Sequence, residues 1–280
     1  MRFSKYHGAG NDFVMLTDLD GRLGPAGSLP ADLVRELCDR HKGVGGDGVI
    51  RVVGRYMDYY NADGSVAEMC GNGIRCLVLH EQDAGRLDGG EHVISTLAGD
   101  VVVRSAGRGR FTVDMGQPVS SSAMTVRLAE DAFAGTAVSM GNPHFVLFVD
   151  EIGRALDDAT VHGLGSQIEV HPDFPHHTNV EFVRVTSATS IQMRVWERGV
   201  GETLACGSGI CAAIVASAAR ERTGPHVAVT MPGGELEVEI DEGRHVWLTG
   251  PAERVFDGEI DRAWLEVLDL TNHAGLVESL

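Results

Sequence analysis

The sequence predicts an α+β protein of two pseudo-symmetric domains, each a mostly antiparallel, β-barrel-like sheet wrapped around a central α-helix. Three observations carry that expectation. Many short β-prone segments, punctuated by Gly and Asp, run along the chain with few helical patterns between them. A Cys-Gly-x-Gly motif that opens a helix occurs twice, at Cys70 and at Cys206. The segments after these motifs lack a strongly polar face over their first turns, and Ser208–Ala219 is almost wholly small or apolar. A helix that is apolar all round is a buried helix, and many short strands around one such helix suggest a curved sheet.

In chain order, strands are expected at Asp12–Thr17, Gly48–Val53, Met57–Tyr60, Val101–Arg104 and Phe111–Asp114 in the first half. The second half holds Ala137–Val149, Asn179–Val185, Ser190–Glu197, Val227–Met231, Leu236–Ile240 and His245–Thr249. Ala31–His41 reads as an amphipathic helix, with Leu33, Val34, Leu37 and Cys38 at helical spacing, Ser28 as cap and Pro30 near the first turn. A last strand, roughly Glu259–Leu268, is expected to return to the first half.

The duplication extends beyond the cysteines. Cys-Gly-Asn-Gly-Ile-Arg-Cys at Cys70 and Cys-Gly-Ser-Gly-Ile-Cys-Ala at Cys206 lie 136 residues apart. Gly10-Asn11-Asp12-Phe13 and Gly141-Asn142-Pro143-His144-Phe145 repeat at an offset of 131. Ile74, Leu77 and Val78 map onto Ile210, Ala213 and Ile214. Two motifs repeated in the same order at nearly one offset imply two related halves. The domains are therefore set at 1–116, with 259–280 returning to it, and 117–258.

Composition narrows the function. A formal net charge of −17 argues against a nucleic-acid-binding surface. No signal-like N-terminus and no apolar run of membrane-spanning length is seen, so a membrane role is not expected. Five cysteines are too few for a disulfide scaffold at 280 residues, and a reducing cytoplasm is the simplest home. Lysine occurs only as Lys5 and Lys42, which leans away from a pyridoxal-phosphate enzyme with its Schiff-base lysine. The six-residue step from Cys70 to Cys76 and the five-residue step from Cys206 to Cys211 do not match metal-ligand spacing. Neither a metal nor another cofactor is expected, and Cys38, Cys76 and Cys211 read as core residues.

A thiol at a helix N-terminus faces unpaired backbone N–H groups and the positive end of the helix dipole, which lower its pKa. The same N–H groups, at Gly71-Asn72 and Gly207-Ser208, can bind a substrate carboxylate and stabilise charge developing on it during deprotonation. A racemase needs a base on one face of a carbon and an acid on the other. Two pseudo-symmetric halves that each supply one such cysteine meet that need, with thiolate and thiol exchanging roles in the back reaction. A thiol redox switch is the competing reading of the same pair.

The motifs resemble those of the diaminopimelate epimerases, which work without pyridoxal phosphate. The resemblance runs through His7-Gly8-Ala9-Gly10-Asn11-Asp12-Phe13, then Asn61-Ala62-Asp63-Gly64 leading to Met69-Cys70-Gly71-Asn72-Gly73, and Gly141-Asn142-Pro143-His144. It continues through Thr178-Asn179-Val180-Glu181-Phe182, and from Glu197-Arg198-Gly199 by Gly201-Glu202-Thr203 to Ala205-Cys206-Gly207-Ser208-Gly209. It implies two domains with the active site in the cleft between them, a homodimer, and interconversion of LL- and meso-diaminopimelate for lysine and peptidoglycan synthesis. Cys70 and Cys206 match the family's acid/base pair, and His144 and Glu197 match positions that assist proton transfer.

Asn11, Asn61, Asn142, Asn179 and Arg198 match substrate-binding positions, Arg198 suiting a distal carboxylate. The repeat sets Asn61 opposite Glu197, each nine residues before its cysteine. Where some relatives carry Gln, this chain has Gly48, which offers no side-chain contact. A two-cysteine racemase of the same fold acting on proline, hydroxyproline or histidine is the nearest rival.

Overall fold

The computed structural model describes residues 1–107 and 109–267. In chain order the first elements are β1 (Arg2–Gly8), β2 (Asn11–Thr17), α1 (Ala31–Cys38), β3 (Gly48–Val53), β4 (Tyr56–Asn61), β5 (Val66–Ala67), α2 (Gly71–Asp83), β6 (Glu91–Thr96), β7 (Gly99–Gly107) and β8 (Arg110–Asp114). Then come β9 (Ser120–Leu128), β10 (Asp131–Ser139), β11 (Pro143–Phe148), α3 (Asp158–Glu169), β12 (Asn179–Ser187), β13 (Ser190–Glu197), β14 (Gly201–Thr203) and α4 (Gly207–Ala219). β15 (His226–Met231), β16 (Gly234–Ile240), β17 (Val246–Pro251), β18 (Glu253–Glu259) and α5 (Arg262–Val267) complete the chain.

The chain forms two compact units, one of Met1–Val113 with the described residues from Pro251 onward, the other of Asp114–Gly250. Each repeats one topology. In the first, β1 pairs antiparallel with β2, β2 parallel with β3, β3 antiparallel with β4, β4 parallel with β6, and β6 antiparallel with β7. In the second, β10, β11, β12, β13, β15 and β16 follow the same sequence of pairings. The strand beside β1 is β18, and the strand beside β10 is β9, both antiparallel. The duplication read from two short motifs therefore extends to strand order and direction.

In each unit the motif helix lies against the strands. α2 packs on β1, β2, β3, β7 and β18, and α4 packs on β10, β11, β12 and β16. Ten of the thirteen residues of each helix are buried, so neither helix has a solvent face. The matched residues Ile74, Leu77, Val78, Ile210, Ala213 and Ile214 are all fully buried. α1 covers a separate core with Leu33, Val34 and Leu37, each worth about 1.5–3 kcal/mol on burial. α3 does the same in the second unit through Val161 and Ile168.

Several local expectations are corrected. Ser28 does not cap α1; its hydroxyl donates to the carbonyl of Pro25, and Pro30 holds the cap position. α1 stops at Cys38 because Asp39 turns extended and accepts from the backbone N–H groups of His41 and Lys42. The single strand expected at Ala137–Val149 is broken into β10 and β11 at Met140-Gly141-Asn142, where Gly141 takes φ of 100°. The returning strand is β18, which ends at Glu259. Asp261 then accepts from the N–H of Ala263 and starts a helix where strand was expected. The remainder of that expected strand, and of the 259–280 segment, lies outside the described residues.

One buried cluster fixes the long loop between β2 and α1. The Arg51 guanidinium is fully buried and donates to Asp58 Oδ2 (2.8 Å from Nε), Gly24 O (2.8 Å) and Pro25 O (2.6 Å). Asp18, 3.4 Å from Arg51 Nη1, also accepts from the N–H groups of Arg22 and Leu23. Removing one partner of such a cluster strands buried charge. Arg51→Ala is therefore expected to lower unfolding stability by about 3–5 kcal/mol. Urea unfolding checks this as a fall in midpoint at unchanged slope.

Candidate active site

The two cysteines sit at equivalent places, each the N-cap residue of the buried helix of its unit, in extended conformation. Cys70 Sγ accepts from Gly73 N–H at 3.4 Å, so the thiol caps the helix as a serine would. Around it the first unit brings together Asn11, Gly71 and Asn72. Asn11 Oδ1 accepts from Asn72 Nδ2 at 3.2 Å and from the Cys70 thiol at 3.7 Å. Asn11 Nδ2 donates to Asp47 Oδ2 at 2.6 Å, and Asp47 Oδ1 in turn accepts from Arg40. Asp12, beside Asn11, is bound by Lys5 and Arg40. Burial raises its pKa, but those two cations outweigh it and hold the carboxyl at about 2.

Arg75 is a further positioning group that composition did not reveal. Fully buried on α2, it donates to Asn72 Oδ1 (2.7 Å), Gly71 O (3.0 Å) and Pro251 O (3.1 Å), which locks the first turn behind Cys70. Asn61 lies at the end of β4 and donates to Ser65 Oγ instead. Tyr60 pairs with Val49 in the core beside α1 as Trp196 pairs with Val180 in the core beside α3, and Val49 and Val180 pair in turn with Val14 and Phe145. Asn61, next after Tyr60, therefore matches Glu197, next after Trp196, in agreement with the spacing. Gly48 has no room for the side chain that some relatives carry: a Cβ there would lie 2.5 Å from Tyr60 O and 2.7 Å from the Tyr59 ring.

In the second unit Cys206 Sγ lies 3.7 Å from Ser208 Oγ. Asn142 Nδ2 donates to that hydroxyl at 3.2 Å, and Asn142 Oδ1 lies 3.0 Å from His144 Nε2. His144 Nδ1 is 2.7 Å from Glu181 Oε1, with both side chains fully buried. Asn142 thus bridges to the second residue after Cys206 as Asn11 does after Cys70. Glu197 is held by the Thr203 hydroxyl. Asn179 is used internally at both ends of its amide, donating to Pro143 O and accepting from Arg198 N–H, both at 2.9 Å. It braces the backbone that carries the exposed Arg198 guanidinium, which donates to His176 O.

The expected lowering of thiol pKa fails at Cys206. Burial pushes this thiol well above its ordinary value, and the carboxylates of Glu197 and Glu181 push the same way. The Gly209 N–H and the Ser208 hydroxyl act in the opposite sense and lose. Glu181 is itself raised by burial, against the opposing pull of His144. Sequence reasoning passed over Glu181 as a site residue. Its signal was a lone carboxylate inside the apolar run Val180–Val183, all of it buried in β12.

None of the five cysteines is in a disulfide. Cys38, Cys76 and Cys211 are buried in the core, and burial pushes Cys38 up to about 12. Asp158, His162 and Glu202 form a surface cluster, but Arg194 binds both carboxylates there.

A family model described as diaminopimelate epimerase matches residues 3–120 and 136–255. A diaminopimelate epimerase of Synechococcus sp. (strain JA-3-3Ab) is 43% identical, covering 92% of this chain and 97% of the relative. One from Pelotomaculum thermopropionicum is 42% identical over 92% of this chain and 98% of its own. Among solved structures, a probable proline racemase from Agrobacterium radiobacter K84 superposes with a TM-score of 0.68 at 16% identity, covering 93% of each chain. A hydroxyproline epimerase from Agrobacterium vitis gives 0.66 at 16% identity, over 92% of this chain and 91% of that one. These two structures share the fold.

The setting of Cys206 has a measurable consequence. Its alkylation by iodoacetamide is expected to follow a pH profile with a midpoint above that of an ordinary thiol, because burial and nearby negative charge favour the neutral form. Glu197→Gln removes one of those charges and should move the midpoint down. Peptide mass spectrometry of the Cys206 peptide reads both; a midpoint at or below an ordinary thiol's would contradict the assignment.

Proposed function

This chain belongs to the diaminopimelate epimerase family, and on that premise we propose that Cys70 and Cys206 exchange roles as base and acid while it interconverts LL- and meso-diaminopimelate. The enzyme is an isomerase acting on a small amino-acid substrate. The observation that supports the two-base reading is the matched placement of two thiols at helix N-cap positions, Cys70 bonded to Asn11 and Cys206 linked through the Ser208 hydroxyl to Asn142.

In the proposed step, one thiolate takes the α-proton and the electron pair left on carbon is delocalised into the substrate carboxylate. The N–H groups at Gly71-Asn72 and Gly207-Ser208 receive that carboxylate, so charge develops where donors already point. The opposite thiol then delivers its proton to the other face of the same carbon, inverting it. The buried setting of Cys206 beside Glu197 and Glu181 favours its thiol form in the free enzyme, which makes it the acid and Cys70 the base in that direction. Glu197 and His144 move protons to and from the cysteines as the roles reverse. Asn11, Asn61, Asn142, Asn179 and Arg198 orient the substrate, Arg198 being the partner suited to the distal carboxylate. The family reading extends to a homodimer acting in the cytoplasm, in lysine and peptidoglycan-precursor synthesis.

Proton NMR of LL-diaminopimelate in D2O tests the mechanism. Reduced wild-type protein should wash out the α-proton signal and yield the meso isomer, whereas folded Cys70→Ala and Cys206→Ala should produce no epimer. Full activity in either variant would remove that cysteine from the mechanism. No exchange by folded, reduced wild type would move the assay to proline, hydroxyproline and histidine.

A further inference from the structure

We propose that Glu181 is a positioning residue of this active site, holding His144 with a hydrogen on Nε2 through the bond its buried carboxylate makes to Nδ1. The inference rests on the reading of His144 as a proton-transfer group, and it adds a residue to which the sequence motifs assigned no role.

Geometry carries the argument. His144 Nε2 faces the carbonyl oxygen of Asn142 at 3.0 Å, and a carbonyl oxygen only accepts, so Nε2 carries a hydrogen. Nδ1 and Glu181 Oε1 are 2.7 Å apart, and that contact needs one further proton between nitrogen and oxygen. The His144–Glu181 pair therefore holds two protons and no net charge, whichever atom keeps the shared one. From Nε2 the connection continues by Asn142 and Ser208 to Cys206 Sγ, all within one unit. The titratable groups facing Glu181 are His144 on β11, Glu197 on β13 and Cys206 at the start of α4.

Packing does not account for this carboxylate. Glu181 is fully buried, and its Oε2 has no hydrogen-bond partner among the described residues, a costly arrangement for a group that only fills space. The other half of the molecule shows what packing alone accepts. Met15 pairs with Ile50 one step along from Val14–Val49, as Val146 pairs with Glu181 one step along from Phe145–Val180. Ile50 thus occupies the position of Glu181 in the repeat, facing Gly73 as Glu181 faces Gly209, and Phe13 the position of His144. The imidazole–carboxylate pair has been built in one half only. Its seat is also tight, since a Cβ on Gly209 would lie 2.7 Å from Glu181 Oε1 and 3.3 Å from Cys206 Sγ.

The test is nitrogen-15 NMR of the His144 ring in the whole, ligand-free protein at neutral pH, assigned with a His144→Gln variant. Wild type should show Nε2 protonated and Nδ1 in a strong hydrogen bond. Glu181→Gln should stay folded, lose the proton shared between Nδ1 and the carboxylate, and lower kcat roughly 10- to 100-fold with little change in KM. An unprotonated Nε2 in wild type overturns the proposal without any variant, and so decides it even if Glu181→Gln fails to fold. A folded Glu181→Gln protein with wild-type kcat, or with an unchanged His144 spectrum, overturns it as well. The spectra need no substrate, so a failure of the assigned reaction and a failure of this inference are read separately.

Discussion

A helix buried on every side can offer chemistry only at its ends, and α2 and α4 are such helices. Their first backbone N–H groups have no intrahelical acceptor, and most of the residues that carry them are buried. Whatever meets those groups must come from the cap residue, from strands that end nearby, or from a ligand. In both units the cap is a cysteine, and the strand ends are supplied by the parallel pair. β2 and β3 begin at Asn11 and just after Asp47, while β11 and β12 begin beside Asn142 and at Asn179. The parallel pairing brings these starts together, which is why Asn11 meets Asp47 and Asn179 meets Pro143.

Within that shared frame the two halves differ in charge. A helix N-terminus stabilises an anion by about 0.3–1 kcal/mol, up to about 2 kcal/mol when partly buried. Full burial can shift a titratable group by several pKa units, at about 1.4 kcal/mol each, so burial wins at Cys206. Two carboxylates then add to it. In the first half the acids near Asn11 are neutralised by Lys5 and Arg40, and the polar groups around Cys70 are amides and a guanidinium. A duplicated scaffold has thus been differentiated by a few side chains at equivalent ladder positions, Ile50 and Glu181 among them.

How far each element was legible follows from its burial pattern. β3 and β13 matched the sequence reading end to end, since β3 is a β-branched run and β13 alternates buried Ile191, Met193 and Val195 with more exposed neighbours. β1 was missed because Lys5, buried against Asp12, breaks the apolar pattern. β9 was missed because Ser120–Ala123 are exposed and show no alternation. α3 carries two glycines in place of a continuous apolar stripe; Gly165 lies so close to Trp196 that a Cβ would sit 2.7 Å from it. At the site, the cysteines and asparagines were legible because motifs repeat, whereas Glu181 and Arg75 act through neighbours and belong to no repeated pattern.

The sequence by itself determined the duplication, the two buried helices and the thiol at the head of each, because periodicity and repetition are properties of the chain alone. It also determined the family, through motifs that recur in order along the whole chain. Only the tertiary structure decided the register that matches Ile50 to Glu181 and Phe13 to His144, since pairing across a ladder is not written in spacing along the chain. It likewise decided that Cys206 is held as a neutral thiol. A helix start is a local feature that residues announce, but burial and the approach of Glu197 and Glu181 come from strands distant in sequence, and there the folded surroundings outweigh the local dipole.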